Sequence, residues 1–334
     1  MTTGELMRGE AVTQRGSLLR AEVLRLRSRR FVRFLLLLGF VGVLAVGIGE
    51  FTSHERPDAA AVASAKAQAA AQSQSCIDSV KNDPNADPNM TPDNLDQMCQ
   101  VSYEYFFSKT PFVEKDDLPG VASALAAGMA ALLFLVGTTS GGADWAAKTM
   151  PALLFWEPRR ARVLLTKLGV VVGLAVVVSV LTQLIWTLMA LGITPLRGVG
   201  DDKPPDFWSQ LLWLDLRGGL LVVLAGAGGY ALASIIRNTG AALGIAFVYL
   251  VVLENLVRGF LPALRPYLLG ENVGGLLHSG GIDVYTGQHF VPGDPNPQDL
   301  IIHLSNLRAG LTLTAGVAAF VLLATWLFRR RDLT

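Results

Sequence analysis

The side chains best suited to metal or redox chemistry are His278, His289 and His303, with Asp283 and Asp294 interspersed, and the cysteines Cys76 and Cys99. Imidazole and carboxylate together would make a metal or acid-base site, but these spacings fit no metal-site pattern, so no metal is expected. The cysteines share one polar stretch, where they would form a disulfide on an oxidising face or, alternatively, a reactive or metal-binding pair. No G-x-x-x-x-G-K-[ST] phosphate loop, H-E-x-x-H or G-x-S-x-G elbow occurs, so ATP, if used, must be bound by another chain. A further set is polar and lies in or near apolar runs: Thr182, Gln183, Trp186, Thr187 and Tyr230. In a membrane protein such residues are candidates to line a substrate path, and Gln183 is the hardest to explain as packing. Asp215 and Arg217 bracket the outer start of one run. Glu254 and Arg258, four apart, have the spacing of an intrahelical ion pair suited to structural gating at the outer end.

The elements that must position these residues are membrane spans. Apolar residues make up 51% of the chain, charged ones 16%, and the mean hydropathy is +0.42, which excludes an ordinary soluble domain. The net charge of +1 carries little information, because the distribution of charge among loops sets topology. Six uncharged runs approach the roughly 20 residues that cross a bilayer: 34–49, 118–143, 168–195, 218–236, 238–253 and 309–328. The first 33 residues carry eight arginines against three glutamates, which keeps this end in the cytoplasm. Six crossings then place residues 144–167, Arg237 and the tail 329–334 on the same side. The expected fold is an all-α polytopic membrane protein with both termini cytoplasmic.

Outside loops differ in composition. Residues 50–117 are rich in Asp, Asn and Pro, with acids exceeding cations about two to one. Their alanine-rich start reads as a helix extending the first span or as a flexible stalk, and "NMT" at Asn89 matches a glycosylation acceptor. The 196–217 segment is an outer loop. Residues 254–307 are too charged and proline-broken for a span, and read as one or two short helices dipping into the outer leaflet.

One inside loop exceeds what topology requires. In "GADWAAKTMPALLFWEPRRARVLLTKL" (142–168), Pro151 can open a short helix that Pro158 stops. Leu153, Leu154, Phe155 and Trp156 are then available for an apolar contact with a partner, while Arg159, Arg160, Arg162 and Lys167 enforce a cytoplasmic location. The N-terminal "RGSLLRAEVLRLRSRR" places Leu19, Val23 and Leu26 on one face and suits arginines to anionic headgroups, so membrane lipid is an expected partner.

The acid, Lys-Thr, short apolar helix, "EPRR" and following lysine resemble the first cytoplasmic loop of bacterial type-2 ABC exporter permeases. "GGYALASIIRNTGAALGIA", "LVVLENLVRGFLP" and "WLFRRRDLT" extend the resemblance, which covers about three quarters of the chain and omits the polar loop after the first span. Asp144 stands where that family often has glutamate, and the first outer loop is unusually large. The resemblance implies a permease subunit of the plasma membrane that pairs with a second copy and works by alternating access. Mg-ATP would be bound by a separate ABC ATPase subunit, with no cofactor in this chain and no role for nucleic acid. The coupling segment to that ATPase would comprise Lys148, Thr149, Leu153, Leu154, Phe155, Trp156, Glu157, Arg159 and Arg160, and residues 1–33 would include a connecting helix along the inner leaflet. The alternative is a non-transporting sensor or assembly component whose outer loop binds a ligand. An integral-membrane enzyme is disfavoured because the outer His and Asp residues form no convincing constellation.

Overall fold

A computed structural model describes residues 18–82, 91–147, 159–198, 203–289 and 298–330. Among these residues, six helices are long and apolar enough to cross a membrane: Arg30–Ser53, Glu114–Trp145, Ala161–Arg197, Phe207–Ile236, Thr239–Phe260 and Asn306–Arg330. The chain divides into two compact units. One comprises Met1–Val43, Pro119–Trp186 and Pro204–Thr334, the other Leu44–Leu118 and Thr187–Lys203.

In the larger unit, residues 18–28 form a helix, α1, that breaks at Arg29 before α2 (Arg30–Ser53) begins. The face α1 buries coincides with the expected apolar one only at Leu26. Glu22 and Leu26 are buried, whereas Leu19 and Val23 are exposed. Between α2 and the next span, the smaller unit holds α3 (Ala59–Lys81) and α4 (Pro92–Met98). The remaining long helices are α5 (Glu114–Ala146), α6 (Arg160–Arg197), α7 (Phe207–Ile236) and α11 (Asn306–Arg330). Close packing of α5 on α7 depends on glycine. A methyl group on Gly137 would strike the carbonyl of Gly226, and one on Gly229 the carbonyl of Phe134, so the two backbones approach with little side chain between them.

The turn into the next span needs only two residues. Arg237 adopts a left-handed conformation (φ 61°), and the Asn238 side chain accepts from the Ala241 N–H at 3.0 Å, capping α8 (Thr239–Phe247). A π turn at Val248–Leu253 leads into α9 (Glu254–Phe260). Val248, Leu250, Val251, Val252 and Leu253 in this turn are exposed, yet Glu254 is buried.

Two loop expectations need correction. The outer segment 196–217 is mostly helix, because Phe207, Leu211 and Leu214 repeat at helical spacing and are buried, extending α7 by about three turns beyond the uncharged run. Residues 254–307 contain α9, a 3-10 turn (Pro262–Tyr267) and α10 (Leu269–Leu277), but also an antiparallel hairpin, β1 (Ile282–His289) with β2 (Gln298–Leu304). The all-α expectation describes the spans, and the hairpin is an addition to it. Gly287, with φ 141°, marks a register shift that interrupts the alternation by which a strand is recognised in sequence.

In the smaller unit, α2 ends at Ser53 and Asp58 caps the separate helix α3 by accepting from the Ala61 N–H at 2.7 Å. The alanine tract is thus neither a continuation of the first span nor a stalk, because Pro57 and the Asp58 cap restart the helix. Cys76 and Cys99 are joined, linking α3 to the end of α4. Ser73 Oγ accepts from the Val101 N–H at 3.2 Å, and Lys66 lies 5.4 Å from the Tyr103 ring centre, so α3 also holds the chain that follows α4. Glu114, almost wholly buried, pairs with Lys203 at 2.7 Å and accepts from the Thr194 hydroxyl at 3.2 Å.

The disulfide and the hairpin can each be tested in solution. Closing a loop of 23 residues should stabilise it by about 3 kcal/mol on the chain-entropy account. Oxidised protein should present no alkylatable thiol, and reduction should expose the α3–α4 region to protease. In the hairpin, His303 Nδ1 lies 2.8 Å from Asp283 Oδ1 and Nε2 lies 3.0 Å from the Gly280 carbonyl, two acceptors that only an imidazolium satisfies together. The Asp283 bond accordingly raises the His303 pKa above its ordinary value. The charged form stabilises the hairpin fully below the unfolded pKa, and that contribution disappears as pH rises through the folded value. Asp283→Asn should lower the His303 titration midpoint seen by NMR, and an unchanged midpoint would refute the pairing.

Candidate functional site

Three elements of the larger unit each bring one charged residue to a buried position in phase with their packed face. On α6, Val163, Leu164, Lys167 and Val171 fall at successive helical positions and all are buried. On α5, Asp144 follows Gly137 and Gly141 on the glycine face, within one turn of the helix end. On α1, Glu22 precedes Leu26 by one turn.

These residues meet. Lys167 Nζ donates to Glu22 Oε2 at 2.7 Å and to Asp144 Oδ2 at 2.6 Å. Asp144 Oδ1 accepts from Arg29 Nη2 at 2.7 Å, while Arg29 Nη1 donates to the Thr139 carbonyl at 3.1 Å. Glu22 Oε1 accepts from Arg25 at 2.9 Å. The side chains of Lys167, Glu22 and Asp144 are 5%, 6% and 8% exposed, but that of Arg25 is 41% exposed. Both oxygens of each carboxylate are therefore engaged, which is what makes burial of so much charge tolerable. Pulling any one element away would strand a partner on the other two.

Aromatic residues close the same end of the unit. Arg237 lies 4.2 Å from the Trp145 ring centre, and Trp145 meets Phe328 edge-on at 5.8 Å. Hence the end of α5, the α7–α8 turn and the end of α11 lie together, as alternating crossings require. Tyr230 donates to the Leu164 carbonyl at 3.1 Å and packs with Val163, Val171 and Phe328.

That contact leaves Tyr230, one of the expected path residues, fully buried in the single chain. Gln183 is buried, donating to the Ala122 carbonyl at 3.3 Å, while its Oε1 has no hydrogen-bond partner among the described residues. Thr182 and Trp186 are buried too, and Thr187 is half-buried in the smaller unit. Asp215 and Arg217 lie inside α7 and not at its start. Arg217 donates to the Trp213 carbonyl at 3.2 Å, and Asp215 Oδ1 is buried with no hydrogen-bond partner among the described residues.

The Glu254–Arg258 pair expected from spacing is replaced by other partners. Glu254 accepts from the Gly270 N–H at 3.0 Å, at the start of α10, where the helix dipole favours an anion. Arg258 turns to Glu271 at 3.2 Å, which Arg265 also holds at 3.0 Å. An anchored helix N-terminus outcompetes the local pair. The expected coupling residues Lys148, Thr149, Leu153, Leu154, Phe155, Trp156 and Glu157 lie outside the described residues. Arg159 is exposed just before α6, and Arg160 is its first residue.

Arg29 and Lys167 read in the sequence as topology signals, and Glu22 draws no notice there. A signal was available: Glu22 is the lone acid between Arg15 and Arg33, and Lys167 occupies a core-phase position of its helix.

Lys167→Met should leave two buried carboxylates facing each other and cost about 3–5 kcal/mol. Arg25→Gln, at a half-exposed pair, should cost no more than about 1 kcal/mol. Thermal unfolding in detergent compares the two, and equal losses would contradict the burial difference. Compared with protein-family models and with curated proteins, the sequence gives no match.

Proposed function

We propose that this chain is the membrane permease subunit of an ABC exporter, moving substrate outward by alternating access while a separate ATPase subunit binds and hydrolyses Mg-ATP. The observation that carries the reading is the Lys167 cluster. It joins the last turn of α5 to the first turns of α6, the two roots of segment 148–158, and fastens α1 to the same ammonium. A force applied to that segment would reach three elements together instead of bending one helix end. This is the mechanical property needed where an ATPase drives a shift between inward-open and outward-open states.

Orientation is supported by charge and by redox chemistry. Basic residues cluster at the end bearing Arg29, Lys167 and Arg237, as expected of a cytoplasmic face, and the Cys76–Cys99 disulfide suits an oxidising exterior such as that of a bacterial plasma membrane. Long apolar faces on α6 and α11, including Val176, Val180, Leu184, Leu311 and Leu322, are exposed in the single chain and suit lipid and a second permease copy.

Co-expression with a candidate ATPase tests the reading. Phe155→Ala with Trp156→Ala should reduce both ATPase co-purification and vesicle transport at least tenfold while leaving membrane insertion intact. Unchanged recovery and transport would reject the coupling role and favour the sensor or assembly alternative.

A further inference from the structure

An open cavity of about 470 Å³ lies beside the ion cluster, lined by Arg25, Arg29, Arg30, Phe31, Asp144 and Ala147 among others. Its volume falls in the range of small-molecule sites, about 300–1,000 Å³. Its charge is unbalanced. Its wall carries three cations, Arg25, Arg29 and Arg30, against one carboxylate, Asp144, which is already engaged on both oxygens. Arg30 is exposed and has no ion-pair partner among the described residues. The N-terminus of the 24-residue helix α2 opens here as well, adding N–H groups that favour an anion. Three guanidiniums around a concave wall match phosphate oxygens better than they match any neutral ligand.

The surroundings identify the source of the phosphate. Arg30 begins one candidate span and Ala147 follows the end of another, so the cavity sits where a membrane meets water. From its rim, Phe31, Phe34, Leu38 and Val41 descend α2 at spacings of three and four residues, and all are about half exposed or more. A free phosphate has no use for such a stripe, whereas a lipid tail running beneath its headgroup does. We propose that this cavity is a specific site for the phosphate of an anionic phospholipid, with Arg25 and Arg30 as direct ligands. Arg29 holds the wall in place through Asp144 and the Thr139 carbonyl, so an occupied site would brace α1, α2 and α5 against one another. The assignment needs nothing from the transport reading.

Thermal unfolding of the full chain in detergent, titrated with short-chain phosphatidylglycerol, reads the site. A saturable rise in midpoint is expected, with phosphatidylcholine and inorganic phosphate each at least tenfold weaker. Arg30→Gln, an exposed change that should not disturb folding, and Arg25→Gln with Arg30→Gln should raise the half-saturating lipid concentration, by at least tenfold in the double variant. Ala147→Phe keeps every charge but fills the cavity, and should have a similar effect. Equal shifts from phosphatidylcholine would overturn the anionic preference, and equal shifts from inorganic phosphate would overturn the lipid source. Wild-type binding by both the double arginine variant and Ala147→Phe would overturn the site itself, and loss in the arginine variants alone would replace it by diffuse attraction to charge.

Discussion

Much of the larger unit depends on one ammonium group between two carboxylates. Lys167, Glu22 and Asp144 come from three elements that apolar packing alone would hold only loosely, since the lipid outside is as apolar as the helices themselves. A buried ion pair adds little net stability compared with a hydrophobic replacement, but it is exacting in geometry. It fixes which turn of α5 faces which turn of α6 and where α1 docks, and so supplies register where greasy contact would permit sliding.

The same trade appears wherever charge enters an otherwise apolar setting. Glu254 is buried, but it sits on the N–H of Gly270 at a helix start; Glu114 is buried, but against Lys203 and Thr194. In each case the carboxylate spans a connection that the backbone alone leaves unspecified. Aromatic and cationic side chains do a looser version of this work at the basic end, where Arg237, Trp145 and Phe328 stack without demanding a single geometry.

The spans are legible in the sequence because a folded chain has little use for an uncharged run of that length except to cross a bilayer. Their ends are not. Counting uncharged residues stops the fourth span at Gly218, whereas burial of Phe207, Leu211 and Leu214 carries the helix well past Asp215 and Arg217. Spacing suggests a Glu254–Arg258 bond, but spacing knows nothing of a helix start arriving from sixteen residues away. The hairpin is hidden for a local reason, the bulge at Gly287. The cysteine pairing is readable from compartment logic, while the ion cluster is not, because cations beside a membrane span have an ordinary topological role that conceals a specific one.

The π turn at Val248–Leu253 has a geometric effect of its own. Relative to a regular helix, one additional residue in a turn rotates everything after it by about 100°. Before the turn, the buried position of the fifth span belongs to Ala242 amid exposed apolar side chains; after it, the buried position belongs to a carboxylate, Glu254. Glu254 thus stands buried on a helix whose neighbouring apolar side chains, Leu256 and Phe260 among them, stay exposed, and the change of aim is made without a proline or a break in the chain.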